Sequence, residues 1–425
     1  MTAEPQTLLE PARRTPVRHE AEVLVVGGGA AGVAAATAAA RAGADVLLVE
    51  RYGTLGGLAS GGLIVLLLTL DDGRGRQAVA GLCQEATERL VARGAAYHPP
   101  RAEWGLTDAA LVERDRRYGL VWGRAPHRVR YSVAYDPLAF EVVCDDLLRE
   151  SGARVLMHAW ACEPLLEDGR IAAVAFQSKA GRFAVRARLV IDASGDGDVF
   201  AAAGCAHERE QVLPWMWFTA GGVDVGRAQA AGASCFQAIG PGKVLFPWGA
   251  IEKLGRIDAT SPEALSDAGR ELRRRVWTEF ERLRREVPGF ESAHLCHAAE
   301  QIGITESRRL VGRRVLRRED MDVVLDDAVA VTGHWTKYGA VYHVPYGCLL
   351  AAEVSNLLAA GRCISVDHRT HHATKEIPAC MATGQAAGMA AALAIRSGLD
   401  PADLDAAHLR AALEGAGAIV TLPSS

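Results

Sequence analysis

The chain has no excess charge of either sign, no apolar stretch long enough to cross a bilayer and no paired-cysteine motif. Its 47 Lys and Arg against 51 Asp and Glu leave a net charge of −4, too weak a field to draw nucleic acid or an anionic membrane to the whole surface. The first twenty residues, MTAEPQTLLEPARRTPVRHE, hold no apolar core of signal-peptide length. The longest later apolar run, Leu63 to Leu70, falls far below the roughly 20 residues a membrane helix needs. A soluble cytoplasmic protein with a frayed N-terminus is therefore expected. The nine cysteines form no CxxC pair and have no metal-ligand spacing to any histidine. Reduced thiols filling small core positions are expected, with Cys380 the candidate exception, and no metal site. At 425 residues and 49% hydrophobic content, the chain can bury a large core and divide into two domains, or one with long insertions.

What is present is concentrated between Val23 and Glu50, in VLVVGGGAAGVAAATAAARAGADVLLVE. Val23 to Val26 suits a buried parallel strand, and Gly27, Gly29 and Gly32 give GxGxxG where a helix begins. The first glycine permits the tight turn, the second lets backbone approach a pyrophosphate, and the third lets the helix pack on the strand. Ala30 and Ala31 open that helix, where free N–H groups meet phosphate oxygens. Val46 to Val49 reads as the second strand. Glu50, 18 residues after Gly32, is placed to accept hydrogen bonds from an unphosphorylated ribose diol. A dinucleotide is expected to bind here.

Further along, Arg51 leads into a second glycine cluster, Leu55-Gly56-Gly57-Leu58, which would lie close to the dinucleotide if its loop folds back. Helical spacing is read from Gln77 to Arg93, with Val79, Leu82, Ala86 and Leu90 on one face, and irregular structure from Ala95 to Tyr135. Asp136-Pro137 reads as a capped helix start and Gly152 as its end. Val155 to Met157 follows as a strand, then a meander turning at Glu167-Asp-Gly169, then Leu189-Val-Ile191 running into Asp192-Ala-Ser-Gly-Asp-Gly-Asp198. That loop lacks the spacing and closing glutamate of a calcium site, so a turn beside a nucleotide is expected. Residues 207–344 hold five of the eight tryptophans. The arginine-rich stretches 270–285 and 308–318 read as solvated helix surfaces. Leu357 to Ala360 reads as a short strand, and Pro378 as the first turn of a helix rich in small residues.

Together the fingerprint with Glu50, the glycine cluster at 55–57, the 192–198 loop, Glu306-Ser-Arg-Arg309, Tyr342-His-Val-Pro-Tyr346, Asn356-Leu-Leu-Ala-Ala-Gly-Arg-Cys-Ile-Ser365 and Met381-Ala-Thr-Gly-Gln-Ala-Ala-Gly388 resemble the FAD-dependent oxidoreductases of the glutathione-reductase-like fold. The resemblance implies an α/β protein with a Rossmann-type FAD-binding domain, a three-layer ββα core and an inserted α+β substrate domain. The expected division is 18–70, 137–206 and 345–412 for FAD, 71–136 as a pocket insertion and 207–344 for substrate. It implies an FAD site at Gly27, Gly29, Ala30, Ala31, Gly32, Glu50, Arg51, Gly56, Gly57, Leu58, Ala193, Gly195, Asp196, Gly361, Arg362, Ile377, Pro378 and Met381. Two departures stand out. Arg362 replaces the aspartate many relatives carry after the glycine, and Lys375-Glu376 replaces an arginine and an apolar residue.

The implied activity is dehydrogenation of a small organic molecule by hydride transfer to flavin N5. The alternatives are an NAD(P)H-dependent monooxygenase, for which no second dinucleotide fingerprint is visible, and a flavin-bearing nucleic-acid-modifying scaffold. Removing a hydride from carbon bearing an alcohol or amine needs a base. Four histidines, His343, His368, His371 and His372, fall in segments the resemblance places against the flavin. His343 and His368 are the expected bases, with Tyr342 and Lys375 beside them. The expected partner is a small-molecule substrate, with no nucleic acid or membrane, and a homodimer is the candidate assembly.

Overall fold

The computed structural model describes residues 7–422, and residues 1–6 of the N-terminal stretch expected to fray lie outside the described residues. A seven-stranded sheet organises the chain. Four strands run parallel in the order Arg154–Leu156, Val46–Val49, Val17–Val26 and Gly181–Asp192, and Leu357–Ala359 lies parallel beside the end of the last. Val26 stands opposite both Val49 and Asp192. Three strands therefore end level, and their carboxyl ends form the edge where open α/β sheets bind ligands.

Gly181–Asp192 spans 12 residues and has two sets of partners on one side. Its first half pairs antiparallel with Arg170–Ser178, which pairs in turn with Trp160–Glu167 across a turn at Asp168 and Gly169, both at positive φ. Its second half pairs with Leu357–Ala359. The buried Asn356 side chain joins the two, accepting from Ile171 N–H and donating to the Ile171 and Arg188 carbonyls. The first strand starts at Val17 rather than Val23, because residues 17–21 pair with the meander at Ala184–Ala187. Its outer half is polar and largely exposed, which removes the apolar signal by which a strand is recognised.

Helices cover the sheet. Pro137–Ser151 begins as expected, with Asp136 accepting from the N–H groups of Leu138 and Ala139, and ends at Gly152. Ile377–Ser397 lies against Ala30–Arg41 at van der Waals limit: a Cβ on Gly384 would stand 2.2 Å from the Ala31 carbonyl oxygen, and one on Gly388 2.1 Å from that of Ala35. Its small residues are what permit this approach. Among the described residues this is the one helix long and apolar enough to span a membrane, and 83% of its apolar window is buried inside the protein.

In the 71–136 segment Val133–Tyr135 and Ala96–Tyr97 join Leu66–Leu67, from just before it, in a small sheet, and helices Leu82–Ala92 and Ala109–Arg117 complete the segment. The first helix starts five residues later than its periodicity suggests, because Gly81 at φ +59° cannot continue a right-handed helix. The second was not expected; Asp108 nucleates it by accepting from Ala110 and Leu111 N–H. Residues 207–344 combine a four-stranded antiparallel sheet, the ribbon Ala328–Gly333 with Val341–Pro345, and helix Pro262–Glu286. That helix buries Leu272, Val276, Phe280 and Leu283 and leaves its arginines exposed or half-buried, as its spacing predicts. The second arginine-rich stretch is different: Arg308–Leu310 is a strand paired with His207–Arg209. Arg309 is 2% exposed, held by Glu306, Glu208 and the Val366 carbonyl.

Candidate functional site

A cavity of about 610 Å³ opens at the carboxyl ends of the parallel strands. The glycine turn forms its floor. Gly27 sits at φ +104° against the Ala193 carbonyl, and a Cβ on Gly32 would lie 1.8 Å from the Gly27 oxygen, so the third glycine serves packing rather than ligand contact. Gly29 differs, having no protein atom within 4 Å of where its Cβ would stand. It precedes helix Ala30–Arg41, which no side chain caps, leaving first-turn N–H groups to be satisfied from the cavity. The second glycine cluster does fold back: Gly56 N–H donates to the Gly28 carbonyl at 2.8 Å, and Gly29 and Gly56 form a bridge. Glu50, 7% exposed, accepts from Gly28 N–H at 2.5 Å and Tyr52 N–H at 2.8 Å. A carboxylate offers about four acceptor sites, so two remain for a ribose diol.

Asp192 anchors the opposite wall, accepting from the N–H groups of Ser194, Val199 and Phe200. Burial pushes its carboxyl up to about 6. Asp196 is held on three sides, by Arg362 at 2.8 Å, Ser307 Oγ at 2.6 Å and Arg51 at 3.5 Å. Burial alone would raise this carboxyl, but Arg362 and Arg51 keep it below the usual range. The Arg362 Nε–H also donates to the Gly195 carbonyl. The departure from Gly-Asp thus reverses a charge and uses it to fix the 192–198 loop. Arg51 spreads over the rings of Tyr52 and Trp160 at 5.0 and 5.2 Å.

The inner end is aromatic. Trp215, Trp248 and Trp335 line it with successive ring separations of 6.0 and 6.2 Å, and Trp335 stands 4.9 Å from His372. The Trp335 indole N–H donates to the His372 carbonyl, while the buried Arg130 donates to the carbonyls of His334 and Trp335. Lys375, Glu376 and Cys380 line the same cavity. Burial pushes Glu376 up to about 7 and the Cys380 thiol up to about 12. Burial, reinforced by Lys375, takes His372 down to about 4, so it is neutral at pH 7.

Of the eighteen residues expected to hold the cofactor, Gly27, Gly29, Ala30, Ala31, Glu50, Arg51, Gly56, Gly57, Leu58, Ala193, Gly195, Asp196, Gly361, Arg362 and Ile377 line this cavity; Gly32, Pro378 and Met381 lie behind it in the packing. Of the four expected catalytic residues only Lys375 reaches it. His343 is buried elsewhere and accepts from Leu422 N–H at 3.1 Å, with Tyr342 buried beside it on the ribbon. His368 points out of the cavity to Glu306 at 3.0 Å. Its ring nitrogen, Glu306 and Glu210 offer ligand atoms within 4.8 Å of one another, a grouping that sequence spacing could not reveal. The Arg309 guanidinium already occupies Glu306 there. Helix His368–Thr374 accounts for the exchange: it turns His368 outward, buries His371 against the Arg362 carbonyl and presents His372 to the cavity. Trp215, Trp248 and Trp335 carry no signal in the sequence that would mark them as lining residues, while Glu376 is marked without a role assigned to it. The one signal for Glu376 was its departure from an apolar position.

An uncapped helix terminus, open space over Gly29 and a carboxylate with free acceptor sites fit a dinucleotide cofactor. The comparisons agree. Digeranylgeranylglycerophospholipid reductase 2 of Methanopyrus kandleri is 32% identical over 183 residues, 41% of this chain and 38% of that protein; reductase 1 of the same organism is 32% identical over 181 residues, 41% and 40%. The match spans less than half the length of these curated relatives. A geranylgeranyl bacteriochlorophyll reductase-like protein from Thermoplasma acidophilum has a similar fold, with TM-score 0.50 and 16% identity over 93% of this chain and 84% of that one. The model of the family described as FAD dependent oxidoreductase matches residues 22–238 and 216–413. The chain belongs to that family and is an FAD-binding oxidoreductase.

Proposed function

We propose that the enzyme dehydrogenates a small organic substrate, with Glu376 as the group that receives the proton. FAD, when bound, supplies an acceptor for hydrogen and its electron pair from carbon. The protein's share is to position the substrate, keep water out and take the proton from the neighbouring N–H or O–H as the C=N or C=O bond forms, so that two electrons and two protons leave the substrate in all.

The observation that carries this reading is the Glu376 carboxyl. It lines the cavity, makes no side-chain hydrogen bond among the described residues, and is pushed up to about 7 by burial. A general base works best with its pKa near the operating pH. His372 is a weaker candidate, since at about 4 it binds a proton poorly. The expected bases His343 and His368 give way to Glu376 because neither touches the cavity.

This reading assigns 18–70, 137–206 and 345–412 to the cofactor, 71–136 to the pocket insertion and 207–344 to the substrate. It is supported by the origin of Trp215, Trp248 and Trp335, which all come from the last segment. Anaerobic mixing of the holoenzyme with amines, alcohols and NAD(P)H tests the activity. Bleaching of the flavin by an amine or alcohol supports dehydrogenation; bleaching by NAD(P)H alone replaces it with the monooxygenase reading.

A further inference from the structure

We propose that the substrate carries a carboxylate beside the carbon that is oxidised, and that Lys375 holds it; the position of that carbon rests on the dehydrogenation reading, whereas the anion site does not. The argument is one of unspent charge. Two of the four cations on the cavity wall, Arg51 and Arg362, are committed to Asp196 and Asp198. A third, Arg273, is exposed on the solvated face of helix Pro262–Glu286. The fourth, Lys375, is partly buried, and its side chain makes no hydrogen bond or ion pair among the described residues.

Withdrawing an ammonium from water without a counterion is costly. The groups facing Lys375 do not supply one. His371 and His372 are neutral, depressed by burial and then by Lys375 itself. Cys380 is a thiol, and the Glu376 carboxyl, next in the chain, forms no ion pair or hydrogen bond with Lys375 among the described residues. The same cavity is lined by the indoles of Trp215, Trp248 and Trp335, and an apolar lining strengthens an ion pair.

The charge count also selects the anion. A single ammonium beside a carboxyl suits one negative charge, whereas a phosphate dianion calls for several donors or the fork of an arginine. Glu376 follows Lys375 in the chain and lines the same cavity, so the proposal pairs an anion on Lys375 with a proton lost from a group one carbon away. A 2-amino or 2-hydroxy carboxylate has that arrangement.

The test titrates oxidised holoenzyme with phenylacetate and its neutral isostere phenylacetamide, following the visible spectrum of the flavin. Phenylacetate is expected to bind at least tenfold more tightly. Lys375→Met should weaken phenylacetate at least tenfold, about 1.4 kcal/mol, and leave phenylacetamide unchanged, with Lys375→Arg restoring most of the loss. Equal weakening of both probes, or no spectral change at the solubility limit of phenylacetate, overturns the proposal. So does an unchanged phenylacetate affinity with a lowered flavin midpoint potential, which would put the ammonium's charge on the flavin. Bleaching by NADPH and by no 2-amino or 2-hydroxy acid would remove the dehydrogenation reading, while the phenylacetate titration still decides the anion site.

Discussion

Glu50→Ala separates what the carboxylate does for the fold from what it does for the cofactor. In the structure two of its acceptor sites are used by Gly28 and Tyr52 N–H, and two remain for a ribose diol. Hydrogen bonds to a charged group contribute about 1.5–3 kcal/mol each, so losing two should cost about 3–6 kcal/mol of FAD affinity, a rise in Kd of about 10² to 10⁴. The alanine also leaves two backbone N–H groups unpaired, at about 1–3 kcal/mol each for whichever remains shielded from water. Fluorescence titration of apoprotein with FAD reads the first effect, and thermal unfolding of apoprotein reads the second. Gly29→Ala is the control: its Cβ meets no protein atom within 4 Å, so apoprotein stability should hold while FAD affinity falls. An FAD affinity in Glu50→Ala within threefold of wild type would refute the assignment of that carboxylate to the ribose.

Four further outcomes are expected. The Glu376 carboxyl, raised from 4.5 to about 7, keeps its proton in the folded state between those values while the unfolded chain has lost it; stability should therefore fall as pH rises through that window and level off above it. Glu376→Gln should remove the fall, so that its melting temperature exceeds wild type by more at pH 8 than at pH 5. The same variant should lose the rise in anaerobic flavin reduction between pH 6 and 8, about two orders of magnitude at the plateau; a wild-type profile in a folded, FAD-loaded variant would dismiss Glu376 as the base. Gly388→Ala places a methyl 2.1 Å from the Ala35 carbonyl oxygen and should destabilise by about 1–3 kcal/mol or more in urea unfolding. Asn356→Ala removes three hydrogen bonds, two of them buried, between the meander and strand Leu357–Ala359, with an expected loss of about 2–4 kcal/mol; a loss under 0.5 kcal/mol would mean that the sheet closes without it.

The parts of the fold legible in the sequence are those set by neighbours in the chain. A turn, a cap or an apolar strand depends on residues a few positions apart, so the glycine fingerprint, Asp136-Pro137 with Gly152, and the Asp168-Gly169 turn could be placed directly. The first strand's outer half could not, because its polar residues are held by pairing with residues 184–187, more than 160 positions away. The same limit divides the site. The cofactor groove follows from local motifs brought to one sheet edge by parallel topology, whereas Trp215, Trp248, Trp335 and Glu376 meet only through tertiary packing.

The histidines sharpen this limit. In a helix successive side chains are rotated by about 100°, so His368, His371 and His372 face three surroundings within one short element: Glu306, the Arg362 carbonyl and the cavity. Knowing that the segment lies beside a flavin does not say which face is turned to it. Arg309 fails to be read for a related reason. Its stretch has the composition of a solvated helix, but Glu208 lies about a hundred residues earlier, Glu306 three residues earlier and the Val366 carbonyl 57 later, and together they satisfy the guanidinium. A buried charge is announced by its partners rather than by its own neighbourhood. Lys375 is the converse case, a partly buried charge whose partner is missing from the described residues, and that is the physical ground for assigning the partner to the substrate.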